Sequence, residues 1–122
     1  MNIKLTPYAL TQLQVIVQTH SNNTGFLLGT DMGKFKIIEN LFPLNFTPTT
    51  IDAVYSQIYQ SELGKKIMGV FFNPIHETDE PFVNEWFMED LIMIARIPNP
   101  EFYLYDNEKK QYQHINPIMN NN

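Results

Sequence analysis

Gly25-Phe26-Leu27-Leu28-Gly29, the turn Asp31-Met32-Gly33 and the run Lys34 to Phe42 form the stretch around which this 122-residue chain organises itself. Two short apolar runs bounded by glycine, separated by an acid and a glycine that favour chain reversal, predict a β-hairpin. On its N-terminal side, Thr6-Pro7 places proline in the first turn of a helix behind a capping hydroxyl. Ala9, Leu10, Leu13, Ile16 and Val17 then recur at helical spacing, which predicts a helix over residues 7–20. On its C-terminal side, beyond Pro43 and Pro48, the set Ile51, Val54, Tyr55, Ile58 and Leu63 predicts a second helix stopped by Gly64. Lys66 to Phe72 reads as a buried strand, Pro74 to Pro81 as a loop, and Phe82 to Ile97 as a third helix ended by Pro98 and Pro100. Two strands around Asp106-Asn107 close the chain, and Asn120 to Asn122 form a frayed tail. The expectation is one domain over residues 1–119 of the α/β (α+β) class: a central mixed sheet flanked by three helices.

Composition narrows the function. With 43% apolar residues, a chain of this length can bury one continuous core. The longest apolar runs, such as Leu91 to Ala95, fall far short of the roughly 20 residues that span a bilayer. The first twenty residues lack a basic start followed by an apolar block, so no secretory signal is read there and the cytoplasm is the expected location. Zero cysteines remove disulfides, thiolate ligands and cysteine nucleophiles. Eight basic against thirteen acidic residues leave a net charge of −5, which repels phosphate backbones and argues against nucleic-acid binding.

Few residues invite chemistry. His76, Glu77, Asp79 and Glu80 crowd into the loop after Pro74 and are the candidate metal ligands, though an acidic loop of this kind is commonly just solvated. His20 falls on the face of Leu13, Ile16 and Val17 and suits a helix-end role, while His114 reads as a surface residue of the last strand. Ser56 and Ser61 have no visible His and acid partners, so a serine nucleophile is unsupported. The third helix carries more information. Glu85, Glu89 and Arg96 cluster on one side, within about 40° at 100° per residue. Trp86, Met93 and Ile97 add an apolar ridge beyond what one sheet buries. That ridge is either covered by the terminal strands and first helix or is an interface with a partner or a second copy.

The runs Gly25 to Gly29, Ile37-Ile38-Glu39-Asn40-Leu41-Phe42-Pro43-Leu44-Asn45 and Met68-Gly69-Val70-Phe71, in this order and spacing, resemble the MPN domain of the JAB/Mov34 metalloproteases over nearly the whole chain. The resemblance implies a zinc isopeptidase site made of two histidines, an aspartate, a glutamate base and a serine. Zinc with an open fourth position lowers the pKa of bound water to about 7, and a carboxylate then takes its proton. Here the glutamate position falls on Asn22, the two histidine positions on Phe71 and Asn73, the serine on Phe82 and the aspartate on Glu85. The spacing from Gly69 to Pro74 is also one residue shorter than the family pattern. The implied function is therefore a pseudo-enzyme without catalytic residues or cofactor. It would be an interaction or scaffold domain that self-associates or docks on a protein partner through the third helix and the acidic loop. The rival reading is a metal-dependent hydrolase with a rearranged site around His76. The opening Ile3-Lys-Leu-Thr-Pro-Tyr-Ala9 also resembles A-type iron–sulfur carriers, but the absence of cysteine speaks against that chemistry.

Overall fold

The computed structural model describes residues 2–19, 24–44, 50, 53, 67–73, 91–116 and 118–119. Strand β1 (Asn2–Leu5) leads into helix α1 (Pro7–Thr19), followed by β2 (Thr24–Asp31), β3 (Phe35–Pro43), β4 (Ile67–Phe72), β5 (Leu91–Ile94), β6 (Glu101–Asp106), β7 (Gln111–Ile115) and β8 (Ile118–Met119). All eight strands join one sheet in the order β7-β6-β5-β4-β2-β3-β1-β8. The sheet is mixed: β1 runs parallel to β3 and β8, and β4 parallel to β5, while the hairpins β2/β3, β5/β6 and β6/β7 and the pair β2/β4 are antiparallel.

The expected sheet flanked by three helices is corrected by this architecture, which is mostly β, with α1 as the one helix element among the described residues. Of the proposed second helix only Ala53 is described, and it is helical; the rest of that helix and the first part of the proposed third lie outside those residues. Within 91–97 the helix gives way to a strand, because Leu91 to Ile94 pair with Gly69 to Phe72 on one side and Ile92 to Ile94 pair with β6 on the other. A strand in mid-sheet is apolar on both faces, so Leu-Ile-Met-Ile carries no alternation to distinguish it from a helix.

Helix α1 starts where its sequence predicts. Thr6 Oγ1 accepts from Ala9 N at 3.2 Å, Leu10 N donates to Thr6 O at 2.9 Å, and Pro7 occupies the first turn, where its missing N–H costs nothing. The same threonine ties the helix to the sheet, since its N–H donates to Ile38 O and its hydroxyl to Glu39 O. Ala9, Leu13 and Ile16 bury one side of α1 in a core shared with Ile3, Leu5, Leu27, Ile38, Leu41, Phe71, Met93 and Phe102. The opposite face of the sheet holds Phe26, Leu28, Val70, Phe72, Ile92, Ile94 and Tyr112.

Two register shifts set which side chains reach each face. Between β2 and β3, Leu28 pairs with Asn40 and Gly29 with Ile38, leaving Glu39 as the extra residue. Between β2 and β4, Leu27 pairs with Gly69 and Leu28 with Ile67, leaving Met68 as the extra residue. Each extra residue flips the alternation beyond it, so Met68 joins the α1-side core although Val70 and Phe72 face the other way. Gly69 is required by close approach: a Cβ there would collide with Leu91 O across the parallel β4–β5 pair. Among the described residues no helix is long and apolar enough to cross a membrane.

Candidate functional site

The carboxyl end of β4 carries Phe71 and Asn73, the two candidate site residues that the structure describes. Phe71 is fully buried, and its ring lies where a Cβ on Gly25 would sit, so the glycine of the hairpin motif makes room for the aromatic side chain. Asn73, two residues on, is 2% exposed, and its Nδ2 donates to Ile16 O in the last turns of α1 at 3.0 Å. A carbonyl near a helix C-terminus otherwise needs water or a cap, and Asn73 supplies a donor from the sheet. The neighbouring backbone is equally committed. Thr24 Oγ1 donates to Leu44 O at 2.7 Å, Leu44 N donates to Thr24 O at 3.1 Å, and Ala95 N donates to Phe72 O at 2.7 Å.

Phe71 and Asn73 are thus brought together beside the end of α1, in structural roles. Asn22, Phe82 and Glu85 lie outside the described residues, as do His20, His76, Glu77, Asp79, Glu80, Ser56 and Ser61. Of the proposed ridge, Met93 is fully buried in β5, in register with Phe71 and Phe102. Ile97 lies 42% exposed beyond the strand end, and Trp86 is outside the described residues. Met93 therefore offers nothing to a partner, because the helix that would have aligned it with Ile97 is not formed there. His114 is exposed as expected, with its ring edge against Tyr103 at 5.2 Å between centroids. Tyr105 and Tyr112 form a second edge contact at 5.3 Å on the same face.

Sequence reasoning missed a buried cation. Lys36, 6% exposed, sits on β3 opposite Asp31, whose carboxylate accepts from both Lys36 Nζ at 2.6 Å and Gly33 N at 2.9 Å. One acid closes the hairpin turn and neutralises the lysine. The signal was the Asp31 turn itself, but burial of Lys36 follows only from the sheet beside it. Arg96 and Glu101 approach at 3.7 Å with both side chains over a third exposed, a pair worth about 0–1 kcal/mol.

The fold occurs in two bacterial proteins. The solution structure of a Desulfitobacterium hafniense protein superposes with a TM-score of 0.61 at 18% identity, covering 98% of this chain and 94% of that one. The solution structure of a Salinibacter ruber protein gives a TM-score of 0.57 at 17% identity, covering 96% and 91%. At these identities the likeness is one of fold alone. No protein-family model matches the chain, and no curated protein matches it.

Proposed function

We propose that the chain is a non-catalytic interaction domain, related to the MPN metalloproteases and without their zinc isopeptidase chemistry. The observation that carries this reading is the state of Phe71 and Asn73. One is a core aromatic and the other spends its amide on the Ile16 carbonyl, so the two positions assigned to zinc-binding histidines are occupied by packing and by a cap. Neither side chain offers an imidazole nitrogen, and zinc bound through a single surviving carboxylate would be held too weakly to acidify water. The test is the metal content of the purified full chain after dialysis, together with its activity on an isopeptide-linked substrate. Less than a tenth of an equivalent of zinc and no cleavage are expected; a ratio near one, or turnover abolished by a chelator, would overturn the reading.

A further inference from the structure

The two ends of the sheet order are neighbours in the chain. β7 ends at Ile115 and β8 begins at Ile118, yet the order puts them at opposite edges, seven strand spacings apart. At about 4.8 Å per spacing, a sheet laid open would hold those edges about 34 Å from each other. The three residue steps from Ile115 to Ile118 reach about 11 Å at most, so the sheet curls until its edges meet. Strand direction says how they meet. β1 is parallel to β3 and β8, and β3 and β4 are both antiparallel to β2, so β1, β3, β4 and β8 share one direction. β5 is parallel to β4, and two antiparallel steps through β6 bring β7 back to that same direction. β7 and β8 are therefore two stretches of one path, residues 111–119, of which the first pairs with β6 and the second with β1. That path closes the sheet into a ring of seven strands. The core agrees with the ring, since the cluster that holds α1 takes in Ile3 of β1, Phe102 of β6 and, partly buried, Ile115 of β7.

We propose that β8 is the clasp of this ring, and that the ring opens there, between β8 and β1, while the other strands stay paired. Such opening is independent of the interaction-domain reading. The clasp is the shortest join among the described strands. Ile118 and Met119 pair with Asn2 and Ile3, whereas β1 holds β3 through four residues and β6 holds β7 through five. The cost of a local opening rises with the backbone bonds and apolar contacts it releases, so the two-residue join parts before the longer ones. β1 does not leave with β8. Asn2 N donates to Lys34 O and Thr6 N to Ile38 O, which ties both ends of β1 to the side of β3. Release of β8 therefore parts the seam alone. Beside it lie Ile3 and Leu5, both buried, and the partly buried Leu104 and Ile115 pack on the same cluster. Parting the seam uncovers this apolar ground and gives the interior an entrance without global unfolding.

A chain without cysteine makes the seam easy to lock. Asn2 and Ile118 are Cα partners on adjacent strands, at a spacing of about 4.8 Å, inside the roughly 4.4–6.8 Å that a disulfide spans. Asn2→Cys combined with Ile118→Cys, studied oxidised and reduced, compares a locked and an unlocked clasp in one molecule. A second variant ends the chain at Asn116 and so removes β8. Hydrogen exchange, followed amide by amide, is the readout. In the wild type, the sheet amides of β1 and β7 are expected to exchange at least tenfold faster than those of β2, β4 and β5. Oxidation of the cysteine pair should narrow that gap at least tenfold against the reduced form, and the truncation should speed the β1 and β7 amides at least tenfold against wild type. A wild type in which all five strands exchange together, a gap that oxidation leaves as it was, or a folded truncated chain with unchanged β1 and β7 amides overturns the proposal. A cysteine pair that forms no intramolecular disulfide under oxidising conditions denies the register and overturns it as well. If the truncated chain is unfolded, the oxidised and reduced forms decide alone, because they differ in one bond and in no residue.

Discussion

The side-chain amide of Gln12 holds both backbone groups of Leu41: Leu41 N donates to Gln12 Oε1 at 2.8 Å, and Gln12 Nε2 donates to Leu41 O at 3.1 Å. The same Nε2 donates to Asn40 Oδ1 at 2.9 Å. The reason lies in the sheet. β1 accompanies β3 from Phe35 to Ile38, and the chain then turns at Thr6 into α1. A side-chain amide has the donor and acceptor of a peptide group, so Gln12 continues the ladder past the point where β1 leaves it.

Gln12→Ala would strand the amide and carbonyl of Leu41 in a half-buried place, at a cost of about 1–3 kcal/mol. Gln12→Glu should cost at least as much at neutral pH, because a carboxylate accepts from Leu41 N but meets Leu41 O and Asn40 Oδ1 as a repelled third acceptor. Urea titrations of both variants measure this, and a loss below about 0.5 kcal/mol for Gln12→Ala would show the clamp to be dispensable.

Asn73→Ala should lower stability by about 1–3 kcal/mol through the unmade bond to Ile16 O. Hydrogen exchange gives the sharper readout, with amides in the last turns of α1 losing protection before those of β2 and β4. Uniform loss over the whole domain would mean that Asn73 does not act on the helix end.

Gly69→Ala should be among the most damaging small changes, because the added methyl meets the Leu91 carbonyl, and backbone in mid-sheet cannot step aside. A cost toward the upper end of about 1–3 kcal/mol is expected by overpacking, or failure to fold. Gly25→Ala should behave alike, and Phe71→Leu should not rescue it, since Phe42 O would still clash with the new Cβ. Recovery of wild-type stability in that double variant would contradict the geometry.

Asp31 and Lys36 should respond unequally to mutation. Asp31→Ala leaves a buried ammonium without its acid and opens the hairpin turn, costing about 1–3 kcal/mol with allowance for the half-exposed carboxylate. Lys36→Met removes the charge together with its desolvation penalty and should stay within about 1 kcal/mol of wild type. Thermal melts of the two single variants decide, and a larger loss for Lys36→Met would reverse this account.

Much of the framework was legible because its signals are local. The capping Thr6, Pro7 and the spacing of Ala9, Leu13 and Ile16 specify α1 over Pro7–Thr19. The turn Asp31-Met32-Gly33 specifies the β2–β3 hairpin, and the residues around Asp106-Asn107 the β6–β7 hairpin, where Asp106 Oδ1 accepts from Glu108 N and Lys109 N. Of the candidate site, the residue types of Phe71 and Asn73 were legible, but their roles were not. Asn73 finds Ile16 57 residues away in sequence, and no local pattern announces such a bond.

What the sequence determined by itself is what neighbouring residues settle between them: one helix start, two hairpin turns, the apolar β4 run and the absence of charge from α1. What only the tertiary structure decided is what distant segments settle. Leu91 to Ile94 are a strand because β4 and β6 offer hydrogen bonds on both sides, and this pairing outweighs a spacing that a helix would also satisfy. Asn2 to Leu5 are a strand because β3 lies parallel to them more than thirty residues on. Burial of Lys36, and the exposure of Tyr8 and Val15, likewise follow from which face the assembled sheet covers. Local propensity is worth tenths of a kcal/mol per residue, whereas burying a side chain and pairing a strand are worth about one to three, so the assembled sheet overrules the local preference wherever the two disagree.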